Sequence, residues 1–520
     1  AEYRIFQRDQ LRIGDQSMPY ADVLSHLVNK KNVARGGEGD NWYHITEVPN
    51  LAALFLCSYL MERGITADFI SYLPGELNYL EQLLQTDQVT AVAITTTFYV
   101  SSFPITDICG KVRQINPDVP IIVGGPYINN IVNDMTPVQL AFTLEEIGAD
   151  IYVVEDQGEA TLAALLKALK KGTDVSAVPN CFTRRGGKYT FSGKEKENNN
   201  LNEMVVNWDH FSDYQIGPTV QMRTARSCAF KCSFCDYPIR AGALSTADLC
   251  AVEKELFQLH RRGVKNIVFI DDTFNIPAKR FQELCKMMIR NNFGFSWFSY
   301  FRCGNVRSKE TYDLMKESGC AGVFLGIESA DDGVLVNMNK GTDVKQYLYG
   351  IEQLNLRGIP SFASFIAGFP GETDRSIENN IRFLNSAAPT FYRAEPFWYN
   401  QRAPIHHSAA QFELEGDGYR WKHKTMDVTQ ACDGVDRMFS DVRHSVWMPM
   451  YMFDFWALPY LLGKGVKLPE IIDFMKFGES AIASRHDAGV FGQSIGKLEK
   501  LCGSMDIQPA KYKQGVLINN

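Results

Sequence analysis

The chain lacks any stretch long and uncharged enough to cross a bilayer. Its most apolar run, VWMPMYMFDFWALPYLL at 446–462, is broken by Asp454 and two prolines, whereas a span needs about 18 or more apolar residues. It also lacks a basic excess. Fifty-three Lys and Arg stand against 60 Asp and Glu, a net charge of −7, which argues against nucleic-acid or membrane-surface partners. The opening AEYRIFQRDQ has no basic-then-apolar leader profile. Nor is there a dense disulfide framework. Twelve cysteines are scattered over 520 residues, many in helical contexts such as Cys57 in LAALFLCSYLMERG, where a buried free thiol is expected. A hydrophobic share of 45% with 22% charged residues excludes disorder. A reduced, cytoplasmic protein of two or three domains is expected.

What the chain does have is apolar runs of strand length alternating with amphipathic stretches of helix length, the pattern of parallel α/β architecture. The first zone, 1–190, predicts a doubly wound Rossmann-like sheet. It has a helix at 51–63, strands at 67–72, 91–96, 120–123 and 151–154, and helices at 105–114 and 162–169. A stretch over 171–217, rich in Gly, Lys and Asn, has no period; the linker is placed at 191–217. The second zone, 218–395, predicts six strands at 219–222, 266–270, 296–301, 322–327, 361–367 and 390–393. Helices at 247–262, 278–291, 310–318, 344–357 and 374–387 intervene, with Ser245, Thr246 and Asp343 as start signals. This spacing describes a partial (βα)6 barrel. The third zone, 396–520, is dense in aromatics and reads as mostly helical.

At the mouth of the first barrel strand stands RTARSCAFKCSFCDYP, with Cys228, Cys232 and Cys235 spaced C-x3-C-x2-C. Three thiolates within eight residues favour a [4Fe–4S] cube or zinc. Structural zinc needs a fourth ligand, and no second C-x2-C pair or nearby histidine supplies one. Three neighbouring thiols cannot all pair as disulfides. Three ligands on a cube leave one iron open to a chelating ligand.

This run, with Phe234 before the last cysteine, resembles the radical S-adenosylmethionine (SAM) superfamily. The resemblance implies that the open iron chelates the SAM amino and carboxylate groups, and that reductive cleavage gives a 5′-deoxyadenosyl radical. It assigns SAM-binding places to strand ends at matching positions. Asp271, Asp272 and Thr273 replace the family's Gly-Gly-Glu tip, with Asp272 the candidate partner of the SAM ammonium. Arg302 is the candidate for its carboxylate. Glu328 and Ser329 end the fourth strand, and the turn Gly368–Gly371 lies where backbone approaches the adenine.

The zone in front resembles the cobalamin-binding domain of one large radical SAM subgroup. Candidate corrin contacts are Thr95, Thr96 and Thr97, the tip Gly124-Gly125-Pro126, and Gly158, Glu159 and Thr161 in GEAT. Small residues there suit close approach of a flat macrocycle. No D-x-H-x-x-G occurs, so no histidine is expected beneath the cobalt. A flavin, or no ligand at all, is the alternative for this zone. Cys57, Cys109 and Cys181 lie apart, which disfavours the second cluster of methylthiotransferases.

The resemblance implies an enzyme, with methylation at an unactivated carbon or at phosphorus the subgroup's best-populated activity. Other members cyclise, contract rings or oxidise, and an iron–sulfur and cobalamin sensor is the non-enzyme reading. The expected substrate is a natural-product intermediate or peptide. The expected electron donor is external, such as a flavodoxin or ferredoxin. Tyr300, Cys303, Tyr392, Trp398, Tyr399, Trp421, His423 and Trp447 are candidates for the substrate pocket.

Overall fold

The computed structural model describes residues 1–86, 88–450 and 453–513. Tyr451 and Met452, within the aromatic run at 446–462, lie outside them. The chain divides into two compact units, Pro49–Ser212 and a larger one that joins residues 1–48 to the chain from Asp213 onward. The first 48 residues were expected in the front domain. They belong with the barrel unit because the helix Tyr20–Ala34 (α1) carries Tyr20, Val23, Leu24, Leu27 and Val28 on one face. That stripe is buried with Phe453, Phe474, Met475, Leu498 and Cys502 of the C-terminal region. Asn41–Trp42 also pairs with Tyr512–Lys513.

The 49–212 unit opens with helix Leu51–Met61 (α2), capped by the Asn50 side chain. Residues 67–72 form no strand, and helix Leu73–Leu84 (α3) follows instead. Three parallel strands then run in chain order, Val92–Thr95 (β1), Ile121–Gly124 (β2) and Ile151–Val153 (β3). Helices Phe103–Ile115 (α4), Pro126–Asp134 (α5), Pro137–Ile147 (α6) and Glu159–Lys171 (α7) connect and flank them. Alternation sorts the strand side chains onto two covered faces. Ile121, Val123 and Tyr152 pack with Leu80, Ile105, Val112 and Leu144; Ile122, Ile151 and Val153 pack with Leu60, Leu162 and Leu165. Part of the expected connector is sheet. Cys181–Arg185 (β4) and Lys188–Phe191 (β5) add an antiparallel hairpin around Gly186 and Gly187, both at positive φ.

In the larger unit six parallel strands follow one another, Thr219–Met222 (β6), Asn266–Phe269 (β7), Ser296–Tyr300 (β8), Cys320–Glu328 (β9), Ser361–Ala367 (β10) and Phe391–Pro396 (β11). The short strand Val446–Trp447 (β12) extends the far edge. The crossover helices are Leu249–Arg261 (α8), Ala278–Asn291 (α9), Lys309–Glu317 (α10), Val344–Leu356 (α11) and Asp374–Ala387 (α12). Thr373 begins α12 with a capping box to Ser376, and Asp343 caps α11. Ser245 and Thr246 are not caps; they pair with Arg226 and Ala225, and α8 starts after Asp248.

The third zone contributes helices Val428–Asp441 (α13), Leu468–Ala483 (α14) and Ala488–Ser504 (α15), plus a three-stranded antiparallel sheet at 415–427. Tyr392 on β11 points outward, donating to Met438 O of α13 at 3.0 Å. By alternation Phe391, Arg393 and Glu395 face inward. Phe298, Phe324 and Phe362 each pack 6.0 Å from Phe455, ring centre to ring centre. These rings fill the bore, leaving the C-terminal strand ends as the place where ligands can enter. Among the described residues no helix is long and apolar enough to cross a membrane.

Candidate functional site

The cysteine loop follows β6 and is anchored at its root from below. Asp271, at the end of β7, accepts from Thr224 N at 2.6 Å, Thr224 Oγ1 at 2.6 Å and Ala225 N at 3.0 Å. Arg280 of α9 adds donors to Thr224 Oγ1, Thr224 O and Ala247 O. Asp271, a strand-end candidate, is therefore buried as the loop's anchor. Asp272 beside it stays accessible, and low-dielectric surroundings together with Asp271 push its carboxyl up to about 6.

Further along, the loop is clasped from two sides. Ser233 N donates to Met338 O and Asn339 Nδ2 to Lys231 O, both at 2.8 Å, while Ile405 N donates to Ser233 O. Cys228, Cys232 and Cys235 are all free thiols; Cys232 is buried and the others half-buried. Burial pushes the Cys235 thiol up. Cys228 Sγ lies 3.3 Å from Thr273 Oγ1. Among the described residues no three His, Cys, Asp or Glu side chains converge as a single-ion site.

Arg302, just past β8, reaches back over this loop. Its guanidinium lies 3.6 Å from the Phe230 ring centre, with Nη1 3.7 Å from Cys232 Sγ and Nε donating to Asn305 Oδ1 at 2.7 Å. Nη2 is buried without a partner, in a residue 9% exposed. An orphaned guanidinium nitrogen next to the cysteine loop is a donor suited to an anionic ligand.

On β9 a register shift between Gly326 and Glu328 bulges the strand, with Glu328 at φ 66°. The bulge re-aims Glu328 onto Lys340, 3.2 Å away, and both are nearly buried. A Cβ at Gly326 would sit 2.5 Å from Glu328 Oε1, so a larger residue there would displace that carboxylate. Lys340 also lies 5.3 Å from the Phe234 ring centre. It was missed from sequence because nothing in MNKGT ties it to a residue twelve positions earlier. Ser329 is buried and accepts from Asp331 N at 3.2 Å, a turn role.

Gly368 sits at φ 87°, and a Cβ there would meet Trp421 and Ala431 at 2.5 and 2.6 Å. Its N–H donates to Glu372, which also accepts from Asn380 Nδ2 at 3.2 Å, while Asn380 Oδ1 takes Ala330 N at 2.6 Å. One side-chain relay therefore ties the ends of β9 and β10.

Complete burial pushes the Glu372 carboxyl up to about 8. The folded state therefore keeps a proton that the unfolded chain releases in the ordinary carboxylate range. Stability should fall as pH rises from there to about 8 and level off beyond it. Glu372→Gln, which keeps an acceptor for Gly368 N, should flatten that fall in urea titrations between pH 5 and pH 9.

Most aromatic pocket candidates are core. Trp447 and Tyr392 are fully buried, Trp421 donates to Phe397 O, His423 pairs with Gly368 O and Tyr399 OH contacts His406. Cys303 packs against Gly350. Tyr300, packed on Phe324 and Trp456, lines the bore above the phenylalanines, and Trp398 is exposed.

In the 49–212 unit the glycine tips stand at the C-terminal ends of the parallel strands. Gly125, φ 108°, starts α5 at Pro126, and a Cβ there would lie 2.9 Å from Thr96 Oγ1. Thr96 is buried, donating to Gly124 O and accepting from Tyr127 N. Thr95 and Thr97 share a hydroxyl contact of 2.9 Å at the open edge. Phe98 and Val100 in the following loop, and Phe103 at the start of α4, are 69%, 95% and 77% exposed. Gly158, φ 75°, precedes α7. Thr161 and Glu159 are turned to internal bonds: Glu197 accepts from Ala160 N, Thr161 N and Thr161 Oγ1, and Asn199 donates to Glu159 and Glu197. Glu197 and Asn199 come from the stretch expected to be a linker.

Residues 222–384 match the family model of the radical SAM superfamily, and they span the cysteine loop and the strand ends around it. The chain carries a radical SAM domain over this stretch. A [4Fe–4S] cluster and SAM are the cofactors that such a domain implies. The residues fit them in chemistry: three free thiols on an anchored loop, and an unsatisfied buried cation beside them. An uncharacterised methyltransferase of Pyrococcus horikoshii is 28% identical over 302 residues, 57% of this chain and 63% of that protein. An anaerobic magnesium-protoporphyrin IX monomethyl ester cyclase of Rubrivivax gelatinosus is 24% identical over 360 residues, 64% and 61%. The chain thus spans less than two thirds of the length of either curated relative. Among solved structures, the radical SAM methyltransferase TsrM of Kitasatospora setae, with tryptophan substrate and a SAM analogue bound, shares the fold at TM-score 0.58. It has 15% identity, and the match covers 87% of this chain and 96% of that one. The cobalamin-dependent enzyme OxsB, with aqua-cobalamin and SAM bound, aligns at TM-score 0.54 and 17% identity over 85% and 64%.

Proposed function

We propose that this chain is a cobalamin-dependent radical SAM enzyme that methylates an unactivated centre of a small-molecule or peptide substrate, with its electron drawn from a flavodoxin or ferredoxin. The observation that carries the reading is the anchored loop of Cys228, Cys232 and Cys235 with Arg302, whose Nη1 lies 3.7 Å from Cys232 Sγ and whose Nη2 is unpartnered. When bound, the cluster supplies the electron for SAM cleavage and cobalamin supplies a methyl carrier.

The chain's own contribution is orientation and exclusion of water. Cys228, Cys232 and Cys235 hold the cluster. Arg302 offers two donors to a carboxylate, Asp272 an acceptor to an ammonium, and Glu328, steered by Lys340, an acceptor to hydroxyls. The backbone at Gly368, kept open by the Glu372 relay, receives the adenine. Arg302→Gln should weaken SAM binding by about 10- to 100-fold, the loss of a charge-assisted pair, measured by equilibrium dialysis on the reconstituted protein.

Cobalamin in the 49–212 unit is supported by the glycine tips and by the exposed apolar side chains of Phe98, Val100 and Phe103, which a macrocycle face would cover. A phosphate-anchored flavin fits less well, because the N-terminal donors of α7 are already taken by Glu197. Incubation with methyl-labelled SAM tests the reaction: label carried into product supports methylation. Unlabelled but altered product would transfer the assignment to cyclisation, the activity the Rubrivivax relative is named for, or to rearrangement or oxidation.

A further inference from the structure

Near the tip of β3 in the 49–212 unit, two buried acceptors stand without hydrogen-bond donors. Asn129 of α5 donates through Nδ2 to Asp156 Oδ1 at 3.1 Å. Because a carboxylate only accepts, this contact fixes the amide's orientation and leaves Asn129 Oδ1 as the orphan. Glu155, two residues past β3, holds one oxygen near the Glu197 backbone N–H, while Oε2 has no partner. Both side chains are at least nine-tenths buried, Glu155 being 5% and Asn129 9% exposed. A desolvated acceptor left unpaired costs about 1–3 kcal/mol, so two at one strand tip indicate a ligand that completes them.

The chemistry around them says what kind. Donors that an anion would need are already engaged, Ala160 N and Thr161 N by Glu197 and Tyr127 N by Thr96. Asp156, Glu159 and Glu197 add negative charge about this tip, with Lys194 the opposing charge that acts on Glu155. An anionic group is repelled here, and an uncharged N–H donor is favoured.

Resting on the cobalamin reading above, we propose that Asn129 Oδ1 and Glu155 Oε2 accept from carboxamide N–H groups on the corrin rim. The unit thereby selects the macrocycle by its uncharged amide side chains. Two acceptors on different elements, α5 and the β3 tip, suit a ligand that presents several amides around one rigid ring.

The test uses the full chain in the dark, with binding of hydroxocobalamin and of its b-, d- and e-monocarboxylic acids followed by visible absorption and equilibrium dialysis. In each acid one amide donor is replaced by a carboxylate. The unaltered chain should bind at least one acid about tenfold or more weaker than cobalamin itself. Glu155→Gln should keep cobalamin but remove most of that discrimination, since its amide can donate to the acid. Asn129→Ala should weaken cobalamin about tenfold. Equal binding of all three acids by the unaltered chain, or unchanged discrimination in Glu155→Gln, overturns the inference. Failure of the unaltered chain to bind any corrinoid overturns the cofactor assignment as well, and is a separate result.

Discussion

Cys232→Ala should lower 5′-deoxyadenosine formation by at least about a thousandfold, equivalent to about 4 kcal/mol of barrier, with the fold retained. Cys232 is the buried member of the triplet and the one Arg302 Nη1 approaches at 3.7 Å. The loop's position does not depend on the thiol. It is fixed by Asp271, Arg280, Met338 and Asn339 through backbone contacts that alanine leaves in place. Loss of activity with unchanged circular dichroism therefore separates ligation from folding. Cys250→Ser is the control, being exposed and outside the loop. Chromatography of the nucleoside after anoxic reconstitution and dithionite reduction reads both variants. Near-normal turnover in Cys232→Ala would remove that thiol from the ligand set.

The second large effect is on stability. Asp9, fully buried, receives both Arg393 guanidinium nitrogens, Nη1 and Nη2, at 2.8 Å each, and Arg393 also donates to Met448 O at 2.9 Å. Asp9→Ala should cost the larger unit about 3–5 kcal/mol, because it leaves a desolvated guanidinium short of its matched carboxylate. Joint replacement by apolar residues, Asp9→Leu with Arg393→Met, should recover much of that loss. Tryptophan fluorescence in a urea titration follows this unit well. Of seven tryptophans only Trp208 lies in 49–212, and Trp447 stacks 5.0 Å from the Arg393 guanidinium. A single-variant loss under about 1 kcal/mol would place the pair among weakly contributing surface contacts.

That same pair shows where sequence reading stops. The six barrel strands and five crossover helices were legible within two or three residues, since strands buried on both faces read as apolar runs and the helices keep a 3.6-residue stripe. The partner of a stripe is not legible. α1 looks equally suited to either unit, and its packing on Phe453, Phe474 and Leu498, with Asp9–Arg393 just before it, places it with the barrel. Likewise Gly186-Gly187, in the stretch without a period, turns a hairpin that finishes the sheet.

At the site, the cysteine triplet carries its chemistry in its spacing, and strand ends located Arg302 and Glu328. Lys340, Glu372 with Asn380, and the anchoring role of Asp271 were invisible because each acts through a residue 8 to 50 positions away. In the front unit Thr96, Glu159 and Thr161, expected at a ligand, make hydrogen bonds within the fold. The residues that remain open there, Asn129 and Glu155, belong to no motif.

The claim on which the rest depends is that three thiolates hold a cluster with one iron available to SAM. Electron paramagnetic resonance of the anoxically reconstituted, dithionite-reduced protein, with and without SAM, tests it most directly. The account predicts a reduced [4Fe–4S] signal whose g-values shift on adding SAM, and whose shift is lost in Arg302→Gln at the same SAM concentration. A signal indifferent to saturating SAM, or zinc in place of iron at this loop, would contradict it.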